Sequence, residues 1–152
     1  MTRKILILGA SYGSLLGTNL AMAGHDVVLV CRSATAALIN AKGTEVRLRL
    51  KGETTHRTIR SADLTGRISA TTPEEADPRG FDLVGLAMQE PQYAAHTLRS
   101  LMIQIADARV PCLSIMNMPP LAYLRRLPGL EPRSVEPAYT DARIWDRFEP
   151  GL

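Results

Sequence analysis

The residues that could do chemistry are most concentrated near the amino terminus, in Gly9-Ala10-Ser11-Tyr12-Gly13-Ser14-Leu15-Leu16-Gly17, directly after the apolar run Lys4–Leu8. Glycines at a strand-to-helix junction let the backbone turn tightly and approach a pyrophosphate. The charge of that group is favoured by the free N–H groups and partial positive charge of the helix N-terminus. A dinucleotide is therefore the expected ligand; the plainer alternative is that the glycines only permit a tight turn and close helix packing. The fingerprint G-x-G-x-x-G would need glycine at positions 11 and 14, where this chain has Ser11 and Ser14. With Gly13 as the helix-packing glycine the turn is one residue short, and Ser11 offers phosphate a hydroxyl as well as an amide. Tyr12 either covers the pyrophosphate or points away from it.

The next chemically informative residues end the second apolar run, Val30-Cys31-Arg32-Ser33. A site for NAD usually has Asp or Glu here to accept the ribose hydroxyls. No carboxylate is present, and Asp26 lies at the other end of the run. Arg32 can form charge-assisted bonds to a ribose 2′-phosphate, with Ser33 adding a hydroxyl at the start of the following helix, so NADP is expected over NAD. The competing reading of Arg32 is a solvated surface arginine. Cys31 and Cys112 form no CxxC, and His25, His56 and His96 are isolated, so no metal site or triad is expected.

The elements that must position these residues alternate short apolar runs with helix-length segments, the sequence form of βαβ units. Lys4–Leu8 reads as a strand buried on both faces, 13–23 as a helix stopped by Gly24, and 26–31 as a second strand. Ser33 reads as the N-cap of a helix over 34–41. Val46, Leu48 and Leu50 alternate with Arg47, Arg49 and Lys51, which predicts an antiparallel pair turning at Lys51-Gly52. A loop with a short helical turn near 73–76 precedes a third buried strand at 81–88. A helix over about 91–105, a fourth strand at 110–116 and a short helical stretch from Pro119-Pro120 to about Leu127 follow. From Glu131 onward prolines and weak periodicity predict an irregular tail or the start of a linker, with a helical turn near 141–148. The expected architecture is α/β: a Rossmann-like, doubly wound, mostly parallel sheet over 1–130 with an antiparallel pair inserted near 44–60.

Taken together, Lys4–Leu8, the turn from Gly9 to Gly17, Ala23-Gly24-His25-Asp26-Val27-Val28-Leu29-Val30-Cys31-Arg32, Phe81-Asp82-Leu83-Val84-Gly85-Leu86-Ala87-Met88 and Leu113-Ser114-Ile115-Met116-Asn117 resemble the N-terminal half of the ketopantoate reductase family. The resemblance extends from about Thr2 to Asn117 in order and spacing. It implies reduction of a small-molecule 2-oxo acid with NADPH by a Rossmann domain followed by an all-helical domain. It also implies that Arg32 selects NADP, that Asn117 lies near the nicotinamide and substrate, and that Met88, Gln89 and Gln92 flank the cofactor. Gln89 stands where the family usually has lysine, which removes a cation near cofactor or substrate, and Met118-Pro119-Pro120 stand where glycine follows the asparagine. The family's catalytic lysine and glutamate belong to the helical domain, so no residue of this chain is given the proton-donor role, and catalysis by this chain alone is not expected.

Two other readings compete: a non-catalytic module that binds or senses NADP(H), and a short-chain dehydrogenase, suggested by Gly9-Ala10-Ser11-Tyr12-Gly13. The latter needs Tyr-x-x-x-Lys to lower a phenol pKa. Leu16, Thr97, Leu127 and Arg143 stand four residues beyond the four tyrosines, so that pair is missing. The net charge of +3 comes from scattered basic residues, against a nucleic-acid partner. The 152 residues, 45% hydrophobic and 22% charged, suffice for one core and contain no membrane-length apolar run. No secretory signal is visible, so a cytoplasmic location is expected, with a homodimer left open.

Overall fold

The structure is a computed structural model that describes residues 1–148. Five strands form one sheet: β1 (Lys4–Leu8), β2 (Asp26–Val30), β5 (Ile68–Thr71), β6 (Leu83–Leu86) and β7 (Cys112–Ser114). Their spatial order is β5-β2-β1-β6-β7, and every pairing is parallel. A separate antiparallel pair, β3 (Glu45–Leu48) and β4 (Arg57–Arg60), fills the place expected for it. The architecture is the Rossmann-like, doubly wound α/β fold.

Side-chain alternation along the strands explains the layering. Ile5, Ile7, Val27, Leu29 and Ala70 point to one face, where they pack with Ala36 and Ile39 of α2 (Ser33–Lys42). Buried Gly13 and Gly17 bring α1 (Ala10–Met22) against the same face. Leu6, Leu8, Val30, Val84 and Leu86 point to the other face. They meet Leu98, Leu101, Met102 and Ile105 of α3 (His96–Ala108), spaced as one stripe of a helix. Covered on both sides, β1 is a continuous apolar run because neither face meets water.

Several boundaries differ from those predicted. The first helix starts at Ala10 and not at Gly13, because Gly9 alone makes the turn. Arg32, not Ser33, is the N-cap of α2, and Ser33 is its first helical residue. The segment over 91–105 is divided: a 3₁₀ turn, Glu90–Ala94, ends where Ala95 takes ψ 137°, and α3 starts afresh at His96. The strand β5 was not predicted at all. After β7 come two single-turn helices, α4 (Leu121–Leu124) and α5 (Pro132–Val135), then 3₁₀ turns at Glu136–Ala138 and Ala142–Trp145.

The proline-rich segment after Glu131 carries little regular structure, as expected, yet it is packed onto the sheet. Tyr139, Ile144 and Trp145 are buried in the same cluster as Leu86 and Leu101. The Trp145 ring lies 5.9 Å from that of Tyr93 and 5.8 Å from that of Phe148. At the surface, Arg99 of α3 pairs with Asp141, which also accepts from Nε of Arg143 at 2.9 Å.

Arg143, and to a smaller degree Arg99, hold the Asp141 carboxyl below its ordinary pKa against the opposing effect of burial. A depressed folded-state value stabilises the fold above the unfolded value of about 4 and loses that contribution as pH falls through the folded value. Acid is therefore expected to loosen this segment. Trp145, the only tryptophan, reports it: its fluorescence should shift toward that of a solvated indole below about pH 4. Asp141→Asn should flatten that part of the titration; an unchanged acid profile in the variant would remove Asp141 from the account.

Candidate functional site

The parallel register brings the strand ends to one line. Leu8 pairs with Val30 and Leu86, Val30 with Thr71, and Leu86 with Ser114, so all five strands finish together. The segments that follow, at Gly9, Arg32, Met88 and Asn117, therefore leave the same edge of the sheet. The chain reverses its direction of winding between β1 and β6, and open α/β sheets bind ligands in the crevice at such a switch point. From β2 to β7 is three strand spacings, about 14 Å, enough to spread an elongated ligand across the edge.

Gly9 occupies the crevice itself. Its φ of +105° is open to glycine alone at little cost, and its amide donates to the carbonyl of Val30 at 2.9 Å. A Cβ there would stand 2.6 Å from Cγ of Met88 and 2.9 Å from the carbonyl oxygen of Ala87, so the β1 turn and the β6 loop touch. One turn later Gly13 lets α1 lie against β1, where a Cβ would meet Cγ2 of Ile7 at 2.7 Å.

The amino end of α1 has no acidic residue in its first turn and no side-chain cap. The amide groups of Ala10, Ser11 and Tyr12 there lack the carbonyl partners an earlier turn would supply, which is the arrangement that holds an anion. Ser11 and Tyr12 are exposed at this end. The hydroxyl of Ser14 instead donates back to the carbonyl of Ala10, which occupies its proton inside the helix.

At the end of β2, Arg32 is exposed, and among the described residues it makes no ion pair. It caps α2 with extended backbone, and that helix too begins without an acidic residue or a side-chain cap, with Ser33 as its first residue directly after Arg32. Asp26 is engaged at the opposite edge, accepting from the amide of Arg67 at 3.2 Å. Burial raises the Cys31 thiol, with Arg32 pulling it partly back.

The third part of the edge is a small pocket of about 280 Å³ between the β6 and β7 loops, where Gln89 and Asn117 share walls with Glu90, Met118 and Thr140. Both glutamines are partly committed locally: Oε1 of Gln92 accepts from the Gln89 amide at 3.0 Å, and the Gln89 side chain answers it in a capping box. The Met88 amide donates to the hydroxyl of Tyr93 at 3.3 Å. A larger cleft, about 360 Å³, lies beside β7 over Leu86, Trp145 and Phe148, but it collects none of the expected site residues. Burial pushes the Cys112 thiol in that cleft up to about 12, so it stays protonated near neutrality.

Sequence reading missed Glu90, Tyr139 and Thr140. The carboxylate of Glu90, 5% exposed, accepts from the Thr140 amide at 3.0 Å and from its hydroxyl at 2.9 Å. The neighbouring Tyr139 hydroxyl donates to the carbonyl of Pro119. The dipeptide Tyr139-Thr140 thus ties the β6 loop to the β7 loop from a segment expected to be a tail.

The profile of the family described as Ketopantoate reductase PanE/ApbA matches residues 5–114, most of the chain, and includes Gly9, Arg32 and Met88 but not Asn117. The chain belongs to the ketopantoate reductase family. Among solved structures, a candidate ketopantoate reductase from Ralstonia solanacearum MolK2 is 26% identical with a TM-score of 0.60. The match covers 97% of this chain and 42% of that one. A candidate 2-dehydropantoate 2-reductase, panE, from Bacillus subtilis is 26% identical with a TM-score of 0.48, over 84% of this chain and 38% of that one. A 2-dehydropantoate 2-reductase from Methylococcus capsulatus is 20% identical with a TM-score of 0.49, over 91% and 37%. The chain therefore spans about two fifths of the length of these ketopantoate reductase structures. No curated protein matches it. Among the described residues no helix is long and apolar enough to cross a membrane, and no cluster of His, Cys, Asp and Glu could hold a metal ion.

Proposed function

We propose that this chain is the NADPH-binding part of a reductase that passes hydride to the carbonyl of a 2-oxo compound of the kind the ketopantoate reductase family reduces. The observation that carries the cofactor choice is Arg32, which caps α2 at the end of β2 with no carboxylate beside it. The uncapped amide groups at the starts of α1 and α2 fit two anionic groups, the pyrophosphate at the first and the 2′-phosphate at the second. The Gly9 turn allows the first to lie close against the backbone. When bound, NADPH supplies a hydride from C4 of its nicotinamide. Asn117 and Gln89, on the two loops of the small pocket, orient the carbonyl by hydrogen bonds from their side-chain amides. The proton that completes the reduction is assigned to no residue of this chain.

Titration with NADPH and NADH tests the reading. NADPH should bind more tightly, and Arg32→Asp should weaken it by about 100-fold by removing a charge-assisted contact and adding repulsion. The affinity for NADH should hold or rise, because that cofactor has no 2′-phosphate for Arg32 to meet and an Asp here can accept from its ribose hydroxyls. Equal affinities for the two cofactors in the unaltered protein would overturn the assignment.

A further inference from the structure

We infer that Tyr93 is a positioning residue for the cofactor: its buried hydroxyl fixes the loop after β6 against the Gly9 turn, on the side of the edge left to the nicotinamide half of NADPH. The inference rests on the reading of this edge as an NADPH site. It starts from where the backbone hydrogen bonds of that loop go. The amide of Ala87 donates to the carbonyl of Leu8 at 3.0 Å, and there β1 ends. The next amide, that of Met88, has no carbonyl of β1 left to meet, and it donates instead to the Tyr93 hydroxyl at 3.3 Å. Among the described residues this is the hydroxyl's one hydrogen bond.

Tyr93 is fully buried, with its ring 5.9 Å from that of Trp145, so it touches neither substrate nor cofactor and acts through Met88. A phenylalanine would fill the same space without the cost of desolvating a hydroxyl, so packing alone does not call for tyrosine. What the oxygen adds is the position of one backbone amide. That position matters because Cγ of Met88 lies 2.6 Å from where a Cβ of Gly9 would stand. Without its partner the Met88 amide must turn toward water, which moves the side chain that stands opposite Gly9. Strand order makes the effect local. Arg32 follows β2 and the start of α1 follows β1, whereas Met88 follows β6, on the far side of Gly9 from Arg32. A ligand that reaches only the first two should not sense Tyr93; one that continues to β6 should.

The test titrates the whole chain calorimetrically with NADPH and with adenosine 2′,5′-bisphosphate, the adenosine half of that cofactor. Tyr93→Phe should weaken NADPH by about tenfold and leave the bisphosphate within about twofold. Arg32→Asp supplies the contrast, because it should weaken both. In the ligand-free Tyr93→Phe chain the Met88 amide should exchange with solvent at least about tenfold faster, while those of Leu6 and Leu101 hold their rates. The melting temperature should stay within about 4 °C. Equal weakening of the two ligands would make Tyr93 a packing residue and nothing more, and would overturn the inference. An unaltered NADPH affinity, or an unaltered exchange rate at Met88, would overturn it as well while leaving the cofactor reading in place. If the unaltered chain bound neither ligand, the cofactor reading would fall and this inference with it.

Discussion

Replacing Gly9 by alanine is expected to lower the unfolding free energy by about 4 kcal/mol and to abolish measurable NADPH binding. Two causes add. The φ of +105° strains any residue with a Cβ, a cost of about 1–3 kcal/mol. The new methyl would also stand 2.9 Å from the Ala87 carbonyl oxygen, which belongs to a buried stretch of backbone and cannot swing aside as the Met88 side chain can. Relieving that overlap by parting the β1 turn from the β6 loop adds about 1–3 kcal/mol and moves the amide groups of α1 away from the anion they would hold. Gly52 supplies the control: its φ is +88°, and a Cβ there would meet nothing within 4 Å. Gly52→Ala should show the conformational part alone. If urea denaturation gave equal losses for the two variants, the close approach at Gly9 would contribute nothing.

Trp145→Ala should destabilise the protein by about 3–5 kcal/mol, comparable to removing a central aromatic from any well-packed core. Trp145 is 1% exposed and lies on Leu86 and Tyr93, so its loss opens a cavity under the sheet. Trp145→Phe should be far milder, within about 1.5 kcal/mol, since the buried indole N–H has no hydrogen-bond partner among the described residues to lose. Thermal unfolding of the two variants measures the contrast. A loss below about 1 kcal/mol for the alanine variant would mean that the segment after Glu131 is held as loosely as its prolines suggest.

The contrast between Trp145 and its neighbours also explains what sequence reading could reach. β1, β2 and β6 were legible because sheet strands covered on both faces must be apolar throughout, and each is followed by a helix period. β5 was not, because Ile68–Thr71 has only Ala70 buried and looks like loop. The start of α1 was placed three residues late because Gly13, a helix breaker by propensity, is here the contact point with Ile7, and packing overrides propensity. The break at Ala95 was hidden because alanine is the strongest helix former. At the site, Gly9 and Arg32 were legible from the strand ends they follow, whereas Met88 and Asn117 came from the family resemblance. The Glu90 pocket was not legible, since the residue that satisfies Glu90 is fifty positions away and no periodicity links them.

That separation has a consequence for how the pocket exists at all. Closing a loop of fifty residues costs about 3.5 kcal/mol of chain entropy, and the two hydrogen bonds from Thr140 to the Glu90 carboxylate return about 3–6 kcal/mol, so they offset it with little to spare. The seating of Trp145 a few residues farther on supplies the margin. The wall at Thr140 is expected to act as a hinged panel latched by an aromatic ring, lifting away and returning while the Gly9 turn and the sheet stay folded. The Thr140 amide should then exchange with solvent faster than those of Leu6 and Leu29 in the central strands, through openings that leave the sheet intact.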